Sequence, residues 1–220
     1  MGIALVILFC AVSALHLASL LFKKLRKAMA ISKALLMPLL LACYIEAAQE
    51  LSVFVILALV FACIGDCFLL YPDKPLFRGL GMGAFFITQL CYIATFVGLI
   101  GSPGRTVILL ALLCYGSLFG LACFTLFQYV PKEWRLAAGI YMLSIASMSA
   151  MALLTFFTRF SNWMGMVLLG SGLFICSDFI LCMEYFKEKT PYGRFIVMFT
   201  YILAQAFIVF GLAHTGGLFY

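Results

Sequence analysis

The chain has 220 residues, of which 66% are hydrophobic and 10% charged, and its formal net charge is +6. A water-soluble domain of this size needs far more polar side chains to cover its surface, so composition excludes that class. Apolar runs of about 20 residues recur along the whole length, each long enough to cross a hydrocarbon core as a helix. The fold class expected is all-α: a polytopic transmembrane bundle of about eight helices, forming a single integral membrane domain over residues 1–220.

The first helix, over 3–22, begins "MGIALVILFCA" without a basic leader and carries "KKLRK" behind its apolar run. That is the pattern of a retained helix and not of a cleaved signal. The second, over 31–45, opens near Lys33 and is short, and Pro38 is expected to kink it. The third, over 51–71, contains "FACIGDCFLLYP", with Asp66 inside an otherwise apolar run. In the fourth, over 77–100, Gly81, Phe85, Gln89 and Tyr92 recur at helical spacing and share one stripe. The fifth covers 106–128, and the sixth, over 134–157, carries Tyr141, Ser144 and Met148 on one side. The seventh, over 162–185, contains "LFICSDFILCM" and aligns Gly170, Phe174 and Asp178 at successive turns. The eighth, over 192–213, places Tyr201 and Gln205 one turn apart.

The loops after the first, third, fifth and seventh helices, with the helix ends beside them, hold most of the positive charge. They carry Lys23, Lys24, Arg26, Lys27 and Lys33, then Lys74 and Arg78, then Lys132 and Arg135, then Lys187, Lys189 and Arg194, 12 of the 14 Lys and Arg. Arg105 and Arg159 lie in the alternate loops. By the positive-inside rule the basic loops face the cytoplasm and both termini lie on the non-cytoplasmic side. The positive balance therefore reflects membrane orientation, and no nucleic-acid partner is implied. The 9 cysteines are odd in number, show no framework spacing and fall almost entirely inside predicted helices, so they read as small buried apolar residues. Cys63 and Cys67 straddle Asp66, but His16 and His214 stand in no ligand pattern, and no metal or cofactor is expected.

An ionisable group inside a membrane span is costly, and it usually faces the bundle interior. The third and seventh helices run in the same direction. Asp66 and Asp178, about five and seven residues from their basic ends, are therefore expected at similar depth. The polar stripes of helices 3, 4, 6, 7 and 8 would close a pocket around them, with amides and phenols hydrogen-bonding across the gap. A plainer reading stands beside this one: a buried Asp can lock two helices together, and intramembrane Tyr, Gln and Gly can serve packing alone. Two acids with no cation in the interior are harder to explain that way, and Lys33 is the nearest partner. "CIGDCFLL" and "ICSDFILC" also share a small residue before Asp and a Leu three after it, a short match that a four-helix duplication would produce.

Six pieces in order carry a resemblance: "SKALLMPLL", "GDCFLL", "GMGAFFITQLCY", "IYMLSIASM", "LFICSDFIL" and "TYILAQ". From Lys33 to Gly211 the chain resembles the lysoplasmalogenases, or YhhN-like membrane proteins. It departs from that family's common pattern at Gln89, where His is usual, and at Ala34, where Pro often follows the lysine. What the resemblance implies is hydrolysis of the vinyl ether bond of lysoplasmalogens to a fatty aldehyde and glycerophosphocholine or glycerophosphoethanolamine. Such a reaction protonates the carbon β to the ether oxygen and passes through an oxocarbenium-like cation, so one carboxyl as acid and one carboxylate beside it suit the chemistry. Asp66 and Asp178 are the expected catalytic pair. Tyr92, Tyr141, Tyr201 and Gln205 would orient water, substrate or the ether oxygen, with Gln89 acting only through hydrogen bonds. Lys33, Lys74 and Arg78 are candidates for the lipid phosphate. The partner expected is a lysophospholipid within the bilayer, of a bacterial inner membrane first and the endoplasmic reticulum second. A small proton-coupled transporter and a non-catalytic lipid-binding protein are the alternatives, since intramembrane acids also serve proton relays.

Overall fold

The computed structural model describes residues 2–22, 25, 28–71, 73–187 and 189–215. Lys23, Lys24, Arg26 and Lys27, part of the expected first basic loop, lie outside the described residues. Eight helices follow one another: α1 (Ile3–Leu21), α2 (Met29–Ala47), α3 (Val53–Phe68), α4 (Pro75–Leu99), α5 (Arg105–Leu126), α6 (Lys132–Thr158), α7 (Asn162–Phe186) and α8 (Gly193–Ala213). Seven of them are long and apolar enough to cross a membrane. The exception is α3, whose 16 residues make a helix of roughly 24 Å, against a hydrocarbon core of roughly 30 Å.

Two helices differ from expectation for physical reasons. The apolar run "LLYP" extends past Phe68, but the backbone there turns by bonds that span three residues instead of four, Leu70 N–H to the Cys67 carbonyl and Tyr71 N–H to that of Phe68. Pro72 and Pro75 follow, and neither can supply the amide that would continue a helix. In α2, Pro38 lies inside one continuous helix of 19 residues, longer than expected, because neighbouring turns hold it across the missing bond.

The lipid-facing surface is plain in α5, where Leu109, Leu110, Leu112, Leu113 and Phe124 are all exposed. A helix so apolar on its outer faces is compatible with hydrocarbon and not with water, and the protein is an integral membrane protein. The interior is built on two close helix pairs, α3 with α4 and α7 with α8. At Gly65 of α3 a Cβ would come within 2.8 Å of the Phe85 ring, and at Gly170 of α7 it would come within 2.8 Å of the Ala204 carbonyl oxygen. Each pair is also tied by a hydroxyl: Thr88 donates to the Ala58 carbonyl at 3.2 Å and Ser177 to that of Val197 at 3.0 Å. These pairs fix the helices that carry Asp66 and Asp178.

Candidate active site

The helical stripes read from the sequence point inward. Phe85, Gln89 and Tyr92 of α4, Ser144 and Met148 of α6, Phe174 of α7, and Tyr201 and Gln205 of α8 are all buried. Asp66 is 2% exposed. The Lys33 ammonium of α2 reaches it, Nζ to Oδ1 at 3.4 Å, and the Tyr201 hydroxyl of α8 donates to Oδ2 at 2.9 Å. The Tyr201 ring is held edge-on by Phe85 and Phe174, each centroid 5.7 Å away. One turn along α8, Gln205 Oε1 accepts from the Tyr92 hydroxyl at 2.6 Å, which ties α8 to α4. Asp66 is thus a buried acid with its cation and phenol in place, the condition under which burial of a charge is tolerated.

Asp178 has different company. The Tyr141 hydroxyl of α6 donates to its Oδ2 at 2.5 Å, and among the described residues no cation is paired with it. Asp178 and Tyr141 line a cavity of about 120 Å³ among α4, α5, α6 and α7, whose other walls are mostly apolar, Met82, Phe85, Leu118, Trp134 and Phe179 among them. A second cavity of about 170 Å³ opens where α1, α3 and α7 end and α2, α4 and α8 begin. It carries Lys33, Arg78, Lys189 and Arg194, with His16, Glu184 and Asp73 beside them, and Lys189 Nζ stands 3.8 Å from Asp73 Oδ1. Leu69, Arg78, Leu181 and Tyr185 line both cavities, so the two adjoin. Tyr185 stands at this junction, sharing one cavity wall with Asp178 and the other with Arg194. Arg78 lays its guanidinium over the Tyr185 and Phe186 rings, 5.4 and 5.6 Å from their centroids. An apolar slot with a carboxyl on its wall, joined to a pocket rich in cations, suits a single-chain amphiphile with a phosphate in its headgroup.

Family-model matching covers residues 28–212 and returns the YhhN family. The chain belongs to the YhhN family. Among curated proteins it is similar to lysoplasmalogenase TMEM86A of Bos taurus, 32% identical over 161 residues, which is 70% of this chain and 62% of that protein. It is 30% identical to lysoplasmalogenase TMEM86A of Homo sapiens over 157 residues, with 70% of this chain and 62% of that protein covered. Lysoplasmalogenase TMEM86B of Sus scrofa is 30% identical over 156 residues, 69% of this chain and 59% of that protein. The matches thus span less than two thirds of these relatives' length. No solved structure matches the chain.

Within this YhhN member the structure groups the residues singled out from sequence into three sets. Asp66, Lys33 and Tyr201 form one, Tyr92 and Gln205 another, and Asp178 with Tyr141 the third. Arg78 stands at the junction of the cavities. Lys74 lines neither cavity and lies over the Phe77 ring, 5.4 Å from its centroid. Gln89 is fully buried, lines neither cavity, and its amide has no hydrogen-bond partner among the described residues. The expected spacing of about five and seven residues from the helix ends also changes. Asp66 stands two residues before Phe68, the last of α3, and Asp178 eight before Phe186, the last of α7. Sequence reasoning passed over Tyr185, although it sits two turns from Asp178 on the same face of α7, the one signal that could have found it. It also passed over Glu184, and it counted Lys189 and Arg194 only as topology signals.

Proposed function

We propose that this chain hydrolyses the vinyl ether bond of lysoplasmalogens, releasing a fatty aldehyde and glycerophosphocholine or glycerophosphoethanolamine. The observation that carries the reading is the Asp178–Tyr141 pair on the wall of an apolar cavity that joins a cationic one. The similarity to lysoplasmalogenases TMEM86A and TMEM86B supports it. In this reading the alkenyl chain occupies the apolar cavity and the phosphate meets Arg78, Lys33 and Arg194 in the other. The vinyl ether, which joins chain to glycerol, then lies near Tyr185 and Asp178.

The roles follow from charge balance. Asp66 already faces the Lys33 ammonium and serves as the fixed carboxylate. An ionised carboxylate against mostly apolar walls, with no described cation paired to it, is expensive, so Asp178 holds the proton and acts as the acid. It delivers that proton to the alkenyl carbon β to the ether oxygen, and the double-bond electrons form the new C–H bond. The α carbon and the ether oxygen share the resulting positive charge, which both carboxylates stabilise electrostatically. Water adds to the α carbon and returns a proton to Asp178, giving a hemiacetal. Its hydroxyl proton then passes to the glycerol oxygen as that C–O bond breaks, leaving aldehyde and alcohol. Tyr141 orients the Asp178 carboxyl throughout, while Tyr201, Tyr92 and Gln205 hold Asp66 and the helices around it.

On the positive-inside rule this basic end faces the cytoplasm, with both termini on the other side of one integral membrane domain. The host membrane proposed is the bacterial inner membrane, with the endoplasmic reticulum second. The test is aldehyde release from choline- and ethanolamine-headed lysoplasmalogens by the purified, folded protein in detergent. Release that requires Asp178 supports the reading; intact substrate across the panel overturns it.

A further inference from the structure

The apolar cavity is shorter than a lipid tail. Its lining residues farthest from the basic helix ends are Phe85 on α4, Leu118 on α5, Ala146 on α6 and Ile175 on α7. Ile175 stands only three residues beyond Asp178, about 4.5 Å along the helix axis. The hydrocarbon of one leaflet is roughly 15 Å deep, half of the bilayer core. A tail that begins beside Asp178 therefore outruns the cavity and must leave it. Straight ahead the way is shut, because Phe85, Ile145 and Ala146 are buried and the Phe85 ring stands edge-on against Tyr201.

The rim lies at α5. Among the described side chains that line this cavity, Leu118 alone is exposed, at 45%. A side chain that lines a cavity and also meets the surroundings marks an opening. α5 packs on α6 but has little contact with α4 or α7, which line the same cavity. The helix is nevertheless fixed on both sides of Leu118: Tyr115 accepts from the Ser149 hydroxyl of α6 at 2.9 Å, and Leu126 is 2% exposed. The opening thus belongs to the fold as it stands and needs no helix to swing. One turn farther from the basic end, Cys114 shares the face of Leu118 and is exposed.

We propose that the lipid tail leaves the bundle past Leu118 and runs on in the bilayer along α5, so that Leu118 decides which tails the site accepts. The proposal rests on the hydrolase reading for its substrate and adds a lateral portal and a specificity determinant to it. The first few carbons after the ether sit against protein, and the rest stay in hydrocarbon. A methylene beyond the rim passes from lipid to lipid, which brings no hydrophobic gain. Tail length above that of the cavity is thus irrelevant to the wild type. A bulkier side chain at Leu118 excludes long tails and spares those that end inside.

The experiment uses the full chain in phosphatidylcholine nanodiscs and two photoreactive 1-O-alkyl lysophosphoethanolamines. One has a butyl tail with a diazirine beside the ether, the other a hexadecyl tail with the diazirine at its far end. Labelled residues are mapped by mass spectrometry, and only label competed by excess unlabelled analogue is counted. The butyl probe is expected to mark the cavity wall around Asp178, and the hexadecyl probe α5 around Leu118 and Cys114. Competed far-end label on other helices, or none at all, overturns the portal, and this result needs only the wild type. In Leu118→Trp the hexadecyl analogue is expected to displace the butyl probe about tenfold less well or worse, the effect of overpacking a fitted gap. The butyl analogue should displace it as in the wild type, which also shows that the variant is folded. Equal displacement by both analogues in that folded variant removes Leu118 as the determinant. Aldehyde release from hexadecenyl lysoplasmalogen is measured in parallel. Competed far-end label on α5 without aldehyde sinks the hydrolase reading and leaves the portal, and aldehyde with far-end label elsewhere does the reverse.

Discussion

The surroundings of Asp66 and of Asp178 make a controlled comparison within one molecule. Both acids lie near the basic ends of helices that run in the same direction, both follow a small residue, and both accept from a tyrosine hydroxyl. Around Asp66, however, α2 and α8 close in with Lys33 and Tyr201, and neither cavity reaches the carboxylate. Around Asp178 the wall opens onto a mostly apolar cavity, and no described cation is ion-paired with it, although Arg78 lines the same cavity. An ion pair sealed between helices holds them in register, whereas a carboxyl exposed to a cavity can meet a ligand. The same residue type in the same sequence setting is therefore given two duties by its neighbours.

The largest effect expected is at Asp178. Asp178→Asn should lower aldehyde release on the order of a thousandfold, the middle of the range for a general acid. Its unfolding temperature should stay near that of the wild type, because the amide can still accept from Tyr141. Turnover within tenfold of the wild type would remove Asp178 from the chemistry. Asp66→Asn should behave differently, because it leaves the Lys33 ammonium, 11% exposed, without its partner. A stability loss of about 3–5 kcal/mol is expected, measured by thermal or denaturant unfolding in detergent. The double change Lys33→Met with Asp66→Leu should recover most of that stability without restoring turnover. Recovery of both would make the pair purely structural.

A third test sets the two helix pairs against each other. At Gly170 an added Cβ meets the Ala204 backbone oxygen, while at Gly65 it meets the ring of Phe85, both at 2.8 Å. Backbone cannot swing aside as a side chain can. Gly170→Ala should therefore destabilise by about 1–3 kcal/mol and Gly65→Ala by less. Equal losses would mean that Phe85, locked against Tyr201, yields no more than a helix backbone does.

How much of this was legible in the sequence depended on range. The helices were legible because each apolar run is local, and the buried stripe of Phe85, Gln89 and Tyr92 followed from helical period alone. The end of α3 was not, because "LLYP" is as apolar as the helix before it and only the prolines beyond stop the backbone. Lys33 was nominated as a partner for an acid from its place at the mouth of α2, yet nothing local said which acid it would meet. Lys74 and Arg78 stand one turn apart and read alike in sequence, but one lies over Phe77 outside both cavities and the other stands between them. His16 and Glu184 come from α1 and α7, so their meeting in one cavity has no local signature at all.

The smallest and most discriminating effects are expected at the two phenols. Tyr141→Phe removes the donor that orients Asp178, and turnover should fall about tenfold, the worth of a hydrogen bond to an ionisable group. Its stability should change little, because Asp178 faces a cavity and keeps access to other donors. Tyr201→Phe removes the equivalent donor from Asp66 but leaves Lys33 in place, with the ring still packed edge-on against Phe85 and Phe174. About 1 kcal/mol of stability should be lost there, with a much smaller fall in turnover. The two variants delete the same atom from the same kind of contact, so any difference between them reports the surroundings alone. If stability and activity fall together in both, the division of duty between Asp66 and Asp178 is wrong and the two acids act as one unit. If Tyr141→Phe moves only turnover and Tyr201→Phe moves mainly stability, the open wall beside Asp178 is what makes that carboxyl the reactive one.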